Sequence, residues 1–407
     1  MSFRGSLRQE YERFFMQEWS PYIGAVMMVM VATVLLASGA FWGVYGGLKN
    51  WGDWINTLVG LNGLLNIPDN LESPLSNRIS IMDICLILGA FSAALFSRQF
   101  RINRPPKLEL LTGAFGGTLM GIGATLSMGC TVGGFFTPLL FSSPAGWAMG
   151  LGLMAGAFIG LKLVLWVMEN ISWGTTPPTA KPMPGLKNAA PWFGLVVLAL
   201  IIWWSASWFM TDDRMLTTRA IYIPAGFAFG FILHRSRFCF SRVFREPFLS
   251  GEGEMAKAMM VAIALGTVVF SVFFQKELVD PYIAIPPSFW IGSFAGGLIF
   301  GTGMIFAGGC ASGSLWRVGE GHIKLWVTVF FFGWAGSVFS GLMKYTGLLT
   351  REDNIELMTE QTKVGYQAWL PQMLDGWGWA YLATFLILLV WYLLVRYNET
   401  TEKFTVL

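Results

Sequence analysis

The sequence predicts an all-α polytopic membrane protein built from two related halves. Three observations carry that prediction. Of 407 residues, 54% are hydrophobic and only 13% are charged, with a mean hydropathy of +0.56. A soluble domain carries about 25% charge, so water is not the main solvent. The apolar residues also gather into blocks, and a glycine-rich pattern ending in a Gly–Cys pair occurs twice.

The blocks are Val26–Trp42, Ile81–Phe96, Trp147–Val167, Trp192–Met210, Ile221–Leu233, Ala258–Phe274, Leu325–Leu342 and Trp379–Val395. Several approach the roughly 20 residues that cross about 30 Å of hydrocarbon. The first is read as an uncleaved span, since acidic residues Glu10, Glu12 and Glu18 precede it and it exceeds a signal-peptide core. Trp51–Pro74 reads as non-spanning, with tryptophans at interfacial spacing and a turn at Pro68-Asp69-Asn70. Thr350–Pro371 reads as a polar insertion outside the membrane. The Pro-rich stretch 175–191 reads as a linker between a first half, 1–174, and a second half, 192–407.

The halves are related by a repeat. Gly116-Gly117-x3-Gly121-x-Gly123-x5-Gly129-Cys130-x2-Gly133 recurs as Gly296-Gly297-x3-Gly301-x-Gly303-x5-Gly309-Cys310-x2-Gly313, without a gap. Short basic loops face the cytoplasm as a rule, and Arg98–Lys107 and Arg235–Arg245 are such loops. One extra apolar helix, Ala256–Phe274, separates the second loop from its glycine-rich segment. The two segments are therefore expected to enter from opposite sides, as pseudo-symmetric inverted repeats.

The pattern after Leu110 suits a helix that breaks at Gly129-Cys130 and returns as a re-entrant hairpin, and the same holds at Gly309-Cys310. Broken backbone at membrane depth is tolerated where it is buried or lines a cavity. A helix restarting after the break offers free N–H groups to an anion. Thr131 and Ser312 are the expected caps. Cys130 and Cys310 would then lie near a common midplane.

Four cysteines are present: Cys85, Cys130, Cys239 and Cys310. None has C-x-x-C spacing, and His234 and His322 lie in charged or loop sequence. No metal site, iron–sulfur cluster or other cofactor is expected. Cys85 reads as a small core residue. Cys239 lies beside Arg235 and Arg237, where a thiol meets an anion held by arginines. Arg317 is a further anion-attracting candidate, although its plain reading is an interfacial pair with Glu320. With no basic face outside the membrane elements, nucleic acid is not an expected partner.

Three strings complete the reading: Gly123–Thr131, Gly296–Gly313 and Arg235–Arg245. They resemble the YeeE/YedE sulfur-transport family, over Ile81 to about Leu342. The resemblance implies a non-enzymatic bacterial inner-membrane importer of thiosulfate or a related sulfur anion. It also implies an hourglass-shaped path in which Cys239, Cys130 and Cys310 pass the anion by S–H···S contacts. A TusA-like sulfur-carrier protein in the cytoplasm is the implied partner, beside the bilayer. The order of the halves is most similar to the YedE branch, which is tied to selenium, so a selenium compound is the alternative substrate. A membrane sulfur-transfer or redox protein using the same cysteines, and a scaffold in which they only pack, are the competing readings.

Overall fold

The computed structural model describes residues 9–170, 179–181, 189–354 and 359–406. The chain is mostly helical, as composition requires: in hydrocarbon every backbone polar group must be satisfied within its own segment. Among the described residues, nine helical segments are long and apolar enough to cross a membrane. Gln9–Met16 with Pro21–Ala37, bent by 77°, makes a tenth if taken as one span. It is a multi-pass membrane protein.

The elements that position the site are few. They are α1 (Pro21–Ala37), the 14-residue α2 (Tyr45–Leu58), α3 (Arg78–Phe96) and α4 (Lys107–Leu126). A π-helical turn, Thr131–Phe136, runs into the short α5 (Thr137–Leu140), and α6 (Pro144–Asn170) follows. The second half holds α7 (Ala190–Phe209), α8 (Arg214–Arg219), α9 (Tyr222–Ser236), α10 (Phe240–Leu249) and α11 (Glu254–Gln275). It continues with α12 (Ile291–Ala307), α13 (Ala311–Glu320), α14 (Ile323–Tyr345), α15 (Leu370–Met373) and α16 (Trp377–Thr401). The expected extra helix of the second half is α11. Most of the linker 175–191 lies outside the described residues; Thr179–Lys181 pairs antiparallel with Ile102–Arg104. The polar insertion carries a three-stranded sheet, Glu352–Asn354, Thr359–Thr362 and Gly365–Tyr366.

The repeat glycines sit where helices cross at backbone contact. A methyl group built on Gly123 would lie 2.5 Å from the Gly296 carbonyl oxygen, and one on Gly296 would lie 2.6 Å from that of Gly123. Gly116 and Gly303 stand in the same relation, at 2.6 Å and 2.7 Å. Residue 116 therefore meets 303 while 123 meets 296, so α4 and α12 cross antiparallel. The outer contacts also correspond: Gly121 lies against the Phe332 carbonyl of α14, and Gly301 against the Leu153 carbonyl of α6, each 2.6 Å from a built methyl. Small residues let membrane helices approach to this distance, where dispersion replaces the missing hydrophobic drive.

Around this crossing lies one extended apolar core. Trp42 stacks on Phe229 with ring centroids 3.9 Å apart, and Phe136 and Phe240 pack edge-on against it. Polar side chains fasten the short α2 to α14: Ser337 donates to Asp53 Oδ1 at 2.5 Å, and Asn56 donates to Ser337 at 2.8 Å.

Candidate functional site: three thiols between two vestibules

Both glycine-rich helices stop in the same way. After α4, Met128 adopts a left-handed conformation (φ 53°); after α12, Gly308 does so (φ 83°). These are the same position of the repeat. A non-glycine residue is held there only at a cost in strain, so the surrounding fold imposes the break. Cys130 and Cys310 then lie in extended backbone, at φ/ψ −83/−170° and −76/−177°. Each begins the next helical segment. The Val132 N–H donates to Cys130 Sγ at 3.3 Å, and the Gly313 N–H donates to Cys310 Sγ at 3.3 Å.

The cysteines themselves are thus the caps, not Thr131 and Ser312. The physical reason is the position of the break: the cap falls one residue before Thr131 and two before Ser312, so the thiols face the free N–H groups. Ser312 Oγ instead lies 3.6 Å from Cys310 Sγ. Thr131 Oγ1 is buried, with no hydrogen-bond partner among the described residues. Gly129 holds its turn at close quarters, since a methyl on it would lie 2.5 Å from the Gly134 nitrogen, whereas one on Gly309 would meet nothing nearer than 3.4 Å.

Cys239 approaches Cys310 from another helix junction. Arg237 ends α9 in a left-handed conformation (φ 51°), and Cys239 is the first cap of α10. A methyl on Gly313 would lie 2.8 Å from Cys239 Sγ and 3.1 Å from Cys310 Sγ. The two sulfurs therefore flank one glycine, although 239 and 310 are far apart in sequence. All four cysteines are free and buried. Cys85 lies elsewhere, in a small apolar cluster with Ile81, Ile201, Ile223 and Phe227. Among the described residues, no three His, Cys, Asp or Glu side chains come together as a metal site.

The arginines divide by role. Arg237 is fully engaged: it donates to Glu18 at 3.0 Å, to Glu320 at 2.8 Å and to Gln99 at 2.7 Å. Arg235 is buried and donates through Nη2 to the Gln17 carbonyl. Arg317 does not pair with Glu320; it donates to the Gly308 carbonyl at 2.8 Å and packs over the Trp316 ring. The expected pairing fails because Glu320 is occupied by Arg237, His322 and His234, with N···O distances of 2.8, 3.3 and 3.6 Å. Arg317 is left facing a cavity.

That cavity, of about 450 Å³, is lined by Asn103, Arg104, Gly308, Arg317, His322 and Lys324 among others. A second, also of about 450 Å³, lies against the first break and includes Tyr45, Arg78, Gly129, Gly133, Tyr282 and Arg351. One therefore opens at each helix break. On the floor of the second, the Tyr45 hydroxyl shares a 2.7 Å hydrogen bond with Thr125 Oγ1, and burial pushes the phenol up, so it stays neutral.

With this geometry in place, sequence comparison is decisive. The sulphur transport family matches residues 4–159 and 235–406. The chain belongs to the sulphur transport family. It is 27% identical over 337 residues to a protein named probable transporter YedE from Escherichia coli (strain K12), covering 79% of this chain and 80% of that one. It is also similar to proteins named thiosulfate transporter TsuA. Identity is 30% over 162 residues with the one from Spirochaeta thermophila, covering 36% of this chain and 48% of the relative. With the one from E. coli it is 36% over 105 residues, covering 26% and 29%.

The resemblance read from three strings thus extends over both halves. The family-matched regions contain Cys130, Cys239, Cys310 and both cavities, whereas α7 falls between them. One residue escaped the sequence reading: Asp83, a buried carboxyl inside the apolar α3 with no hydrogen-bond partner among the described residues. Its signal was present, since a charged residue within a span is functional by default.

Proposed function

We propose that this sulphur transport family protein imports thiosulfate, or a closely related sulfur anion, along a route that runs from one cavity to the other past Cys130, Cys239 and Cys310. The observation that carries the reading is that Cys130 and Cys310 each cap a helix start next to a cavity, with Cys239 and Cys310 flanking Gly313. A thiol is a weak donor, so it holds an anion loosely enough to let it go, as conduction requires. The helix starts add N–H groups and a positive dipole end without a fixed charge that would trap a dianion.

Unpartnered donors support the same reading. Thr131 Oγ1, Ser241 Oγ and Ser314 Oγ are buried without partners among the described residues, and each follows one of the three cysteines within four positions. Such groups are costly unless something visits them. The reciprocal antiparallel crossing of α4 and α12 supports a pseudo-twofold axis in the membrane plane, with the two breaks as re-entrant elements entering from opposite faces. The Arg104–Arg317–Lys324 cavity sits beside the basic loop Arg98–Lys107, which supports a cytoplasmic position for it in a bacterial inner membrane. A small sulfur-carrier protein of the TusA kind fits as the receiver there.

The test is uptake of labelled thiosulfate by proteoliposomes, with sulfite and selenium oxyanions as competitors. Cys130→Ala and Cys310→Ala are expected to abolish uptake while leaving abundance and melting unchanged. Wild-type rates in both variants would sink the thiol route.

A further inference from the structure

The span Arg78–Phe96 carries one carboxyl group, Asp83, and nothing described in the fold answers it. The side chain has no solvent exposure. Neither Oδ1 nor Oδ2 has a hydrogen-bond partner among the described residues. Buried carboxylates are normally paired or hydrogen-bonded, because an ionised one in low dielectric is costly. An unanswered one calls for an explanation, and at membrane depth the default explanation is function.

Its place in the fold supplies one. Asp83 lies where α2 crosses α3, so closely that a methyl on Gly47 would overlap Asp83 Oδ2. Two residues before Gly47, Tyr45 lines the outer cavity together with Gly129. Gly129, the residue before Cys130, thus shares a cavity with Tyr45, and the Asp83 carboxyl acts electrostatically on the Cys130 thiol. The carboxyl is therefore packed against α2 two residues from the cavity-lining Tyr45.

The other charged groups near it are engaged or remote. On α2, Lys49 and Asp53 bind each other at 2.7 Å and Tyr45 bonds Thr125. On α9, Tyr222 is followed by His234 and Arg235, which meet Glu320 and Gln17 at the helix's other end. On α13, Arg317 and Glu320 are engaged as described above, and α7 carries no charged residue. In the Glu12–Met16 turn that also touches α3, Glu12 and Arg13 lie at the chain's exposed start. On α3 itself, Arg78 sits over the Phe41 ring, 5.5 Å from its centroid. None of these hydrogen-bonds Asp83. Cys130 is the titratable group of the route on which its charge acts.

We propose that Asp83 is a proton-binding gate on the anion's route, and that the anion passes Cys130 only when Asp83 is protonated. This deepens the route proposed above and rests on it. An ionised Asp83 repels a dianion at Cys130 through the buried interior, where screening is weak; the neutral acid does not. The proton reaches the carboxyl from the outer cavity, so flux is present below the titration of Asp83 and is lost as the outside pH rises through it.

The experiment is thiosulfate uptake by proteoliposomes across a series of outside pH values with the inside pH fixed, for wild type, Asp83→Asn and Asp83→Glu. Wild-type flux should fall with rising pH by about tenfold per unit beyond the midpoint, the limit for one proton. Asp83→Asn should be flat, and Asp83→Glu should keep a pH dependence with a displaced midpoint. A flat wild type, or a wild-type profile in Asp83→Asn, overturns the gate while leaving transport standing. The second readout is the protonated-carboxyl infrared band missing from Asp83→Asn, which should titrate with the flux and shift when thiosulfate is added. A band that neither titrates nor shifts overturns the gate even if the asparagine variant misfolds. Absence of wild-type uptake at every pH overturns the transport route instead, and the thiosulfate-induced shift then judges Asp83 alone.

Discussion

Gly313→Ala tests whether the space between Cys239 and Cys310 is the narrow part of the route. The added methyl would lie 2.8 Å from one sulfur and 3.1 Å from the other. Both are shorter than an ordinary carbon–sulfur contact, and each sulfur is buried. Neither thiol is removed and no charge changes, so the variant isolates geometry from chemistry. Overpacking of this kind costs about 1–3 kcal/mol. If that cost falls on the anion's passage, the rate drops by about 5- to 150-fold. The assay is the initial rate of labelled thiosulfate uptake in proteoliposomes, normalised to folded protein. A wild-type rate in a folded Gly313→Ala protein would refute the placement of the route between these sulfurs. A loss of rate matched by an equal loss of folded protein would assign the glycine to packing alone.

Three further outcomes follow from the same contacts. Gly123→Val places bulk against the Gly296 backbone at the antiparallel crossing; since backbone cannot yield as a side chain does, folded protein recovered after detergent extraction should fall sharply, whereas Leu111→Val, at an exposed position, should not change it. Glu320→Gln removes the charge that Arg237 and the two histidines share; a cost of about 1.5–3 kcal/mol per lost charged hydrogen bond predicts a lower melting temperature. Arg317→Gln keeps a donor for the Gly308 carbonyl but removes positive charge from the cavity it lines, so uptake should become less sensitive to salt without a change in melting, checked by rates over a salt series.

Much was legible in the sequence because membrane physics writes in long strokes. The charge-poor blocks, the gapless glycine repeat and the Gly–Cys pairs each follow from a local requirement: enough apolar length, no Cβ at a helix crossing, a flexible break. Cys239 was legible only through its neighbours and the family strings. The caps were misassigned because a one-residue difference in where a helix restarts decides whether Thr131 or Cys130 faces the free N–H groups. The Arg317–Glu320 pairing was misread because spacing along one helix says nothing about a competitor, Arg237, arriving from another.

The sequence by itself determined the solvent, the helical class, the repeated glycine–cysteine pattern and the candidate side chains, since these depend on composition and local order. Tertiary structure alone decided that the sulfurs of Cys239 and Cys310 flank Gly313, that a cavity opens at each break, and that Asp83 is buried unanswered where α2 crosses α3. Those are distances between segments remote in the chain. They are fixed by how closely α4, α12 and their partners pack, and no local pattern encodes them.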